Sequence, residues 1–325
     1  MAGQAAVTST LALAGDTMLG RGVAAALNAR PPEALFSDEV LAITNAADAF
    51  VLNLECCIST AGRPWPDPNK PFFFRAPPQA VETLHLLGVD CVTLANNHAL
   101  DFGYDALLDT FEALEAAAIA WVGAGRDLES ARAPATVHMP DFDVVVLGAT
   151  DHPADYAASE DRPGVALADF RVGVPGWLAD RVRDNSSNVV LVTPHWGPNM
   201  TTEPPRYVRA AAEALLDCGA AVIAGHSAHV FHGVDPPVLY DLGDFLDDYV
   251  VDPVLRNDLG ILWLLHFERS RAVGLEAVPL KLDYCHTRLA DDDAAKWIEH
   301  RLTAACHTFG VDVSTVDGRL RVDFS

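Results

Sequence analysis

Carboxylates, carboxamides and imidazoles recur in five short polar clusters, each placed just after a run of apolar residues. They read Gly15-Asp16, Asn53-Leu54-Glu55, Asn96-Asn97-His98, His195-Trp196-Gly197 and Gly225-His226-Ser227-Ala228-His229. Oxygen and imidazole donors without thiolate suit a divalent cation such as Mn, Zn or Fe. One or two such ions are therefore expected. Taken singly, most clusters have an ordinary explanation. Asp16 could cap a helix, Asn96 to Asp101 could be a polar turn, and a lone His195 could be a packed core residue. Glu55 is harder to explain away, because a carboxylate at a buried strand end is costly unless paired or metal-bound. Gly225 to His229 offers two imidazoles three apart, opening from a strand through glycine, which could both reach one centre. Asp101, one turn beyond His98, could fix that histidine's tautomer.

The apolar runs that precede the clusters, 10–14, 49–52, 91–95, 189–193 and 220–224, have strand length. Helical patterns over 22–29, 78–87, 104–118, 175–184 and 205–217 alternate with them, which predicts a layered α/β core. Open α/β sheets bind ligands at the carboxyl ends of their strands, so the five clusters would meet at one rim. Two long loops interrupt the alternation. One, 61–77, carries Pro64, Pro66, Pro68, Pro71 and Pro77 around Phe72-Phe73-Phe74; the other, 151–169, is acidic and holds His152 and Tyr156. Loops of that length inside a compact domain are commonly functional. After Asp258 the pattern changes to a hairpin (259–268 with 272–282), a helix over 291–306 and a strand pair, 311–313 with 319–324. The chain is thus expected to divide into 1–258 and 259–325, the second part completing or covering the same domain.

Half of the 325 residues are apolar, which is enough for a large core without disulfides. The balance of 22 basic against 45 acidic residues gives a formal charge of −23. Such a surface repels nucleic acid and anionic membranes, so neither is expected as a partner. A small molecule or an anionic polymer drawn in by bound cations is the substrate to expect, and the oligomeric state is open. The six cysteines form no CxxC pair and read as free buried thiols in a reducing compartment. With no basic leader pattern and no apolar run near the roughly 18 residues of a membrane span, a cytoplasmic location is expected. Neither a Walker-type phosphate loop nor a Gly-x-Ser-x-Gly elbow is present.

Six motifs, in order and spacing, carry a resemblance over about residues 8–250. Gly15-Asp16-Thr17-Met18-Leu19-Gly20-Arg21, Asn53-Leu54-Glu55, Asn96-Asn97-His98 with Asp101-Phe102-Gly103, His195-Trp196-Gly197, Gly225-His226 to His229, and Tyr240-Asp241-Leu242-Gly243-Asp244-Phe245 resemble the CapA family of bacterial capsule (poly-γ-glutamate) synthesis proteins. That family is similar to the calcineurin-like metallophosphoesterases. The resemblance implies a four-layer α/β/β/α sandwich and a dinuclear centre. Asp16 would ligate the first metal, Glu55 would bridge, Asn97, His195 and His226 would serve the second, and His229 would return to the first. His98 matches the histidine that gives a proton to the leaving oxygen, with Asp101 beside it. Two departures stand out. Met18 occupies the place of the first-motif histidine, leaving the first metal a ligand short, with Asp244 and His152 as candidates to complete it. The acid expected directly after His98 is displaced to Asp101, which argues against ordinary phosphatase chemistry.

Arg21 and Arg75 could clamp a phosphate or carboxylate, and Lys70, His152 and Asp244 could join them. The reading is a metal-dependent hydrolase of a phosphoester or γ-glutamyl-like amide. The alternatives are an accessory protein in anionic-polymer (capsule) synthesis and a tailoring enzyme of small-molecule biosynthesis.

Overall fold

Side-chain alternation along the strands builds the layers of this computed structural model, which describes residues 8–324. On the first strand, Thr8–Thr17, Leu11 and Leu13 point one way and Ala12 and Ala14 the other. The second strand, Ala49–Leu54, repeats this with Ala49 and Val51 against Phe50, Leu52 and Leu54. Both are buried on both faces and so read as continuous apolar runs. They pair in parallel with each other, then with Cys91–Thr93 and Ala120–Val122. Leu259–Glu268 joins the other edge of the first strand antiparallel, followed by Arg271–Asp283, Arg319–Asp323 and Ser314–Val316. Together with Asp244–Leu246 and His286–Leu289 they form a ten-stranded sheet.

A second sheet of six strands has the order Val234–Asp235, Val238–Leu239, Val222–Ala224, Val189–His195, Asp143–Thr150 and Ala135–His138. Val189 and Leu191 face the first sheet, where they meet Leu11, Leu13, Ile261 and Trp263. Val190 and Val192 face outward onto the helices Gly176–Asp184 and Arg206–Asp217. The outer face of the first sheet is covered by Arg21–Ala29, Ala80–Leu86 and Gly103–Ala116. Helix, sheet, sheet, helix is the resulting α/β/β/α order.

The five expected helices form within two residues of their predicted starts. The last strand pair is a correction: Ser314–Val316, not 311–313, pairs with Arg319–Asp323. Val311 and Val313 instead pack their side chains against the inter-sheet core, so the apolar alternation there marks burial, not pairing. The helix Asp38–Thr44, capped by Ser37, and the strand Asp143–Thr150 were not anticipated. No helix among the described residues is long and apolar enough to cross a membrane.

Candidate metal centre

The strand ends of the two sheets converge on one buried cluster. Asp16 lies at the end of the first strand, between Asn53 on one neighbour and Asp244 on the other. The register slips on both sides of it, and such bulges re-aim side chains. Asn53 donates to Asp16 Oδ1 at 2.7 Å and accepts from Asn96 at 2.9 Å, while Asn96 Oδ1 accepts from the His98 N–H at 3.0 Å. The two asparagines thus tie three clusters together. Glu55 follows the second strand and is fully buried. From the second sheet, His195 ends its strand and pairs by a single bridge with His226, which follows Val222–Ala224.

The loop carrying His229 bends sharply. Ser227 and His229 both have positive φ, 114° and 59°, a costly conformation for non-glycine residues that needs support. Asp241 supplies it by accepting from the N–H groups of Ala228 and Gly243. His229 Nδ1 then donates to Asp244 Oδ1 at 2.9 Å and lies 3.1 Å from Asp16 Oδ2.

Two trios have ligand atoms within 4.8 Å of one another: Asp16 with His229 and Asp244, and Asp16 with Glu55 and His195. Each could hold a divalent ion, with Asp16 common to both. Glu55 lies between them, 3.7 Å from His195 Nε2 and 3.9 Å from His229 Nδ1. The decisive feature is what these atoms lack. Asp16 Oδ2, both Glu55 oxygens, Asn97 Oδ1, both His195 nitrogens, His226 Nδ1 and Asp244 Oδ2 are buried without a hydrogen-bond partner. Buried polar atoms are almost always satisfied, and a cluster of orphans in one place fits a cation.

Charge balance points the same way. Burial and then the Asp16 charge push Glu55 well above the usual carboxylate range, and burial does the same to Asp244. Burial alone would raise Asp16, but His229, 3.1 Å away, and its charge hold it far below. Burial would lower His229, yet Asp244 and Glu55 raise it well above the ordinary histidine value. Burial lowers His226 to about 4, and burial with His152 takes His195 well below 6.5. Crowded carboxylates of this kind lack a full counter-charge, which a cation would supply.

The remaining candidates fall at different places. His98 Nε2 is 4.0 Å from Glu55 and its Nδ1 is 2.6 Å from Asp101. Its ring lies flat on Phe74, with centroids 3.9 Å apart. Asp101 also accepts from Lys70 Nζ at 2.9 Å, Tyr156 OH at 3.1 Å and the Phe74 N–H at 2.6 Å. Burial lowers His98 to about 4. Arg21 is paired with Asp248 at 3.0 Å and stands over Phe72, Phe74 and Tyr249. His152 bonds to Asp151, its ring 5.2 Å from that of His195. Arg75 is not brought to the cluster: its guanidinium donates to the Ala61 carbonyl and covers Phe102. Met18 is fully buried, and its sulfur accepts from the Gly20 N–H. Asp244 stands beside Asp16 in the first trio that Met18 leaves short.

Sequence reasoning passed over Asn53, Asn96, Asp241 and Tyr249. The first three lay inside the quoted motifs, and their signal was a short polar side chain next to a predicted ligand. Tyr249, whose hydroxyl is buried without a partner and whose ring packs edge-on against His229 at 5.3 Å, gave no signal.

The comparisons with known proteins agree with the motifs. The model of the bacterial capsule synthesis protein PGA_cap matches residues 10–249. A Mycobacterium tuberculosis protein named "Probable polyglutamine synthesis accessory protein" is 30% identical over 97% of this chain and 95% of its own length. The PGA biosynthesis protein CapA of Bacillus subtilis is 28% identical over 72% of this chain and 62% of its own. The capsule biosynthesis protein CapA of Bacillus anthracis is 26% identical over 84% and 67%. With its strand-end motifs meeting at one buried cluster and the family match spanning them all, the chain belongs to the PGA_cap family of bacterial capsule synthesis proteins.

Proposed function

We propose that this chain is a dinuclear metal-dependent hydrolase of the metallophosphoesterase type, acting on a phosphoester or a γ-glutamyl-like amide. The observation that carries the reading is the convergence of orphaned carboxylate, carboxamide and imidazole atoms from both sheets. Bound Mn, Zn or Fe would supply Lewis acidity at the substrate's oxygen and lower the pKa of a water from 15.7 toward about 7. Asp16, Glu55, Asn97, His195, His226 and His229 would hold the ions, with Asp244 beside them. The chain's own contribution is proton control and orientation. Asp101, held by Lys70, Tyr156 and the Phe74 N–H, accepts from His98 Nδ1 and fixes the tautomer. Phe74 keeps the ring from turning. His98 Nε2 is thereby left on the Glu55 side as the free acceptor nitrogen, placed to take up a proton and pass it to a leaving oxygen or nitrogen. Arg21 and Lys70 enter the site already paired with Asp248 and Asp101, so a substrate anion would be met mainly by the metals.

The test begins with metal analysis of the protein after loading with Mn or Zn. Turnover of bis-(p-nitrophenyl) phosphate and of γ-glutamyl-p-nitroanilide follows. His98→Gln should keep the metal and lose roughly 10²- to 10⁴-fold in rate, the usual size of a general acid-base contribution. A protein that takes up no divalent ion, or a metal-loaded one that cleaves neither substrate class, would overturn the reading.

The printed name of the mycobacterial relative favours a second reading, an accessory role in anionic-polymer synthesis in which the metal serves structure or binding. Full cellular function of His98→Gln would select it. The six unpaired thiols, five of them buried, support work in the reducing cytoplasm.

A further inference from the structure

A chain with 45 acidic residues has carboxylates to spare for its arginines, yet two arginines that line one cavity have none. Arg209, on the helix Arg206–Asp217, and Arg301, on the helix Asp292–His307, both face a cavity of about 360 Å³. Among the described residues neither forms an ion pair. Arg209 Nε donates to the Pro204 carbonyl at 3.3 Å, and Arg301 Nη1 to that of Leu255 at 3.4 Å. Arg301 Nη2 is buried with no partner. Leaving a guanidinium nitrogen desolvated and unpaired is costly.

Both guanidinium groups lie against aromatic rings. Arg209 lies over the Phe309 ring at 4.8 Å, and Arg301 over Phe231 at 5.2 Å and Trp297 at 5.4 Å. A guanidinium fork can receive an oxyanion in bidentate fashion. His232, whose Nδ1 is buried without a partner, donates through Nε2 to the Thr201 carbonyl, 2.8 Å away. Glu203 and His300 also line the cavity, and Glu203 is its acidic wall residue.

We infer that this cavity is an oxyanion site, separate from the metal centre, which takes a phosphate or a carboxylate group between Arg209 and Arg301. It sits behind the loop that carries His229. Gly233, on its wall, is four residues from that ligand, so their Cα atoms are at most about 14 Å apart.

Inorganic phosphate and glutarate are the probes, and phenylglyoxal labelling of the full chain, read by mass spectrometry, is the measurement. Either anion should slow labelling of Arg209 and Arg301 by about tenfold, the scale of one charge-assisted hydrogen bond. Arg206, exposed one turn earlier on the same helix, should label unchanged. Stronger protection by phosphate or by glutarate assigns the group. Arg209→Gln, on the half-exposed face of its helix, should reduce the protection of Arg301 without altering metal content. Arg301→Lys, which keeps the charge but loses the fork, should weaken calorimetric binding of the same anion. Labelling of both arginines that ignores both anions, or protection of Arg301 that survives Arg209→Gln, overturns the proposal. None of these readouts needs turnover, so failure of the hydrolase reading would leave them intact.

Discussion

At the residue scale, the arrangement around Asp101 concentrates its consequences in one carboxylate. It receives four donors: His98 Nδ1, Lys70 Nζ, Tyr156 OH and the Phe74 N–H. Asp101→Asn replaces an acceptor-only group by one that must present N–H to some of them. The expected result is a fall in kcat with little change in KM and unchanged metal content, because the metal ligands are elsewhere. A variant that loses metal as well would show Asp101 shaping the whole centre instead of one histidine. His232 makes a different prediction. Burial first, then the charges of Arg301 and Arg209, outweigh the Thr201 carbonyl, which favours the protonated ring, and leave it at about 4 against 6.5. Between those values the unfolded chain binds a proton that the folded chain excludes, so stability falls as pH drops from about 6.5 and levels off near 4. At 1.36 kcal/mol per unit the loss approaches about 3 kcal/mol. Burial lowers His98 and His226 in the same sense. Urea midpoints of the wild type and His232→Asn at pH 7 and 4.5 check this: the variant should lose less than the wild type.

Elements explain why those residues meet at all. Gly225 precedes His226, and a Cβ there would come within 2.2 Å of the Tyr240 carbonyl oxygen and 2.5 Å of Trp196 Nε1. Gly225→Ala should therefore cost about 2 kcal/mol or more and displace His226 and His229 together, seen as lower urea stability and a weaker metal uptake. An alanine variant that keeps both would mean the loop relaxes without moving its ligands. This geometry also shows what the sequence could reveal. Asp16, Glu55, His195 and His226 were legible because each follows an apolar run that is buried on both faces, and strand ends of parallel sheets open to one rim. Asn53 and Asn96 were quoted but their task was invisible, since it lies in hydrogen bonds across strands 43 residues apart. Arg75 was misplaced because a cation near an aromatic cluster looks the same in sequence whether it faces a substrate or covers Phe102. The strand Asp143–Thr150 was missed although Val144 to Leu147 is apolar, because Asp151 and His152 at its end were read as part of the acidic loop 151–169.

The whole molecule depends on a segment far from the motifs. Leu259–Glu268 pairs with the first strand from Thr8 to Leu13, and Ile261, Trp263 and Leu265 fill the layer between the two sheets. Ala294, Ile298 and Leu302 of the last long helix close the side of that same layer. Removing 259–325 would leave the first strand, which carries Asp16, unpaired on one side from Thr8 to Leu13 and would expose the inter-sheet core to water. Burial of large side chains contributes about 1.5–3 kcal/mol each, so losing Ile261, Trp263 and Leu265 alone approaches the whole stability of a typical domain. A chain ending at Asp258 is thus expected to be insoluble or to show no cooperative unfolding, and limited proteolysis of the full chain should release no stable fragment that ends near residue 258. A truncated protein that unfolds cooperatively and still takes up metal would make the C-terminal strands an addition to the family domain. Failure to fold would make them part of the sheet that holds Asp16 in place.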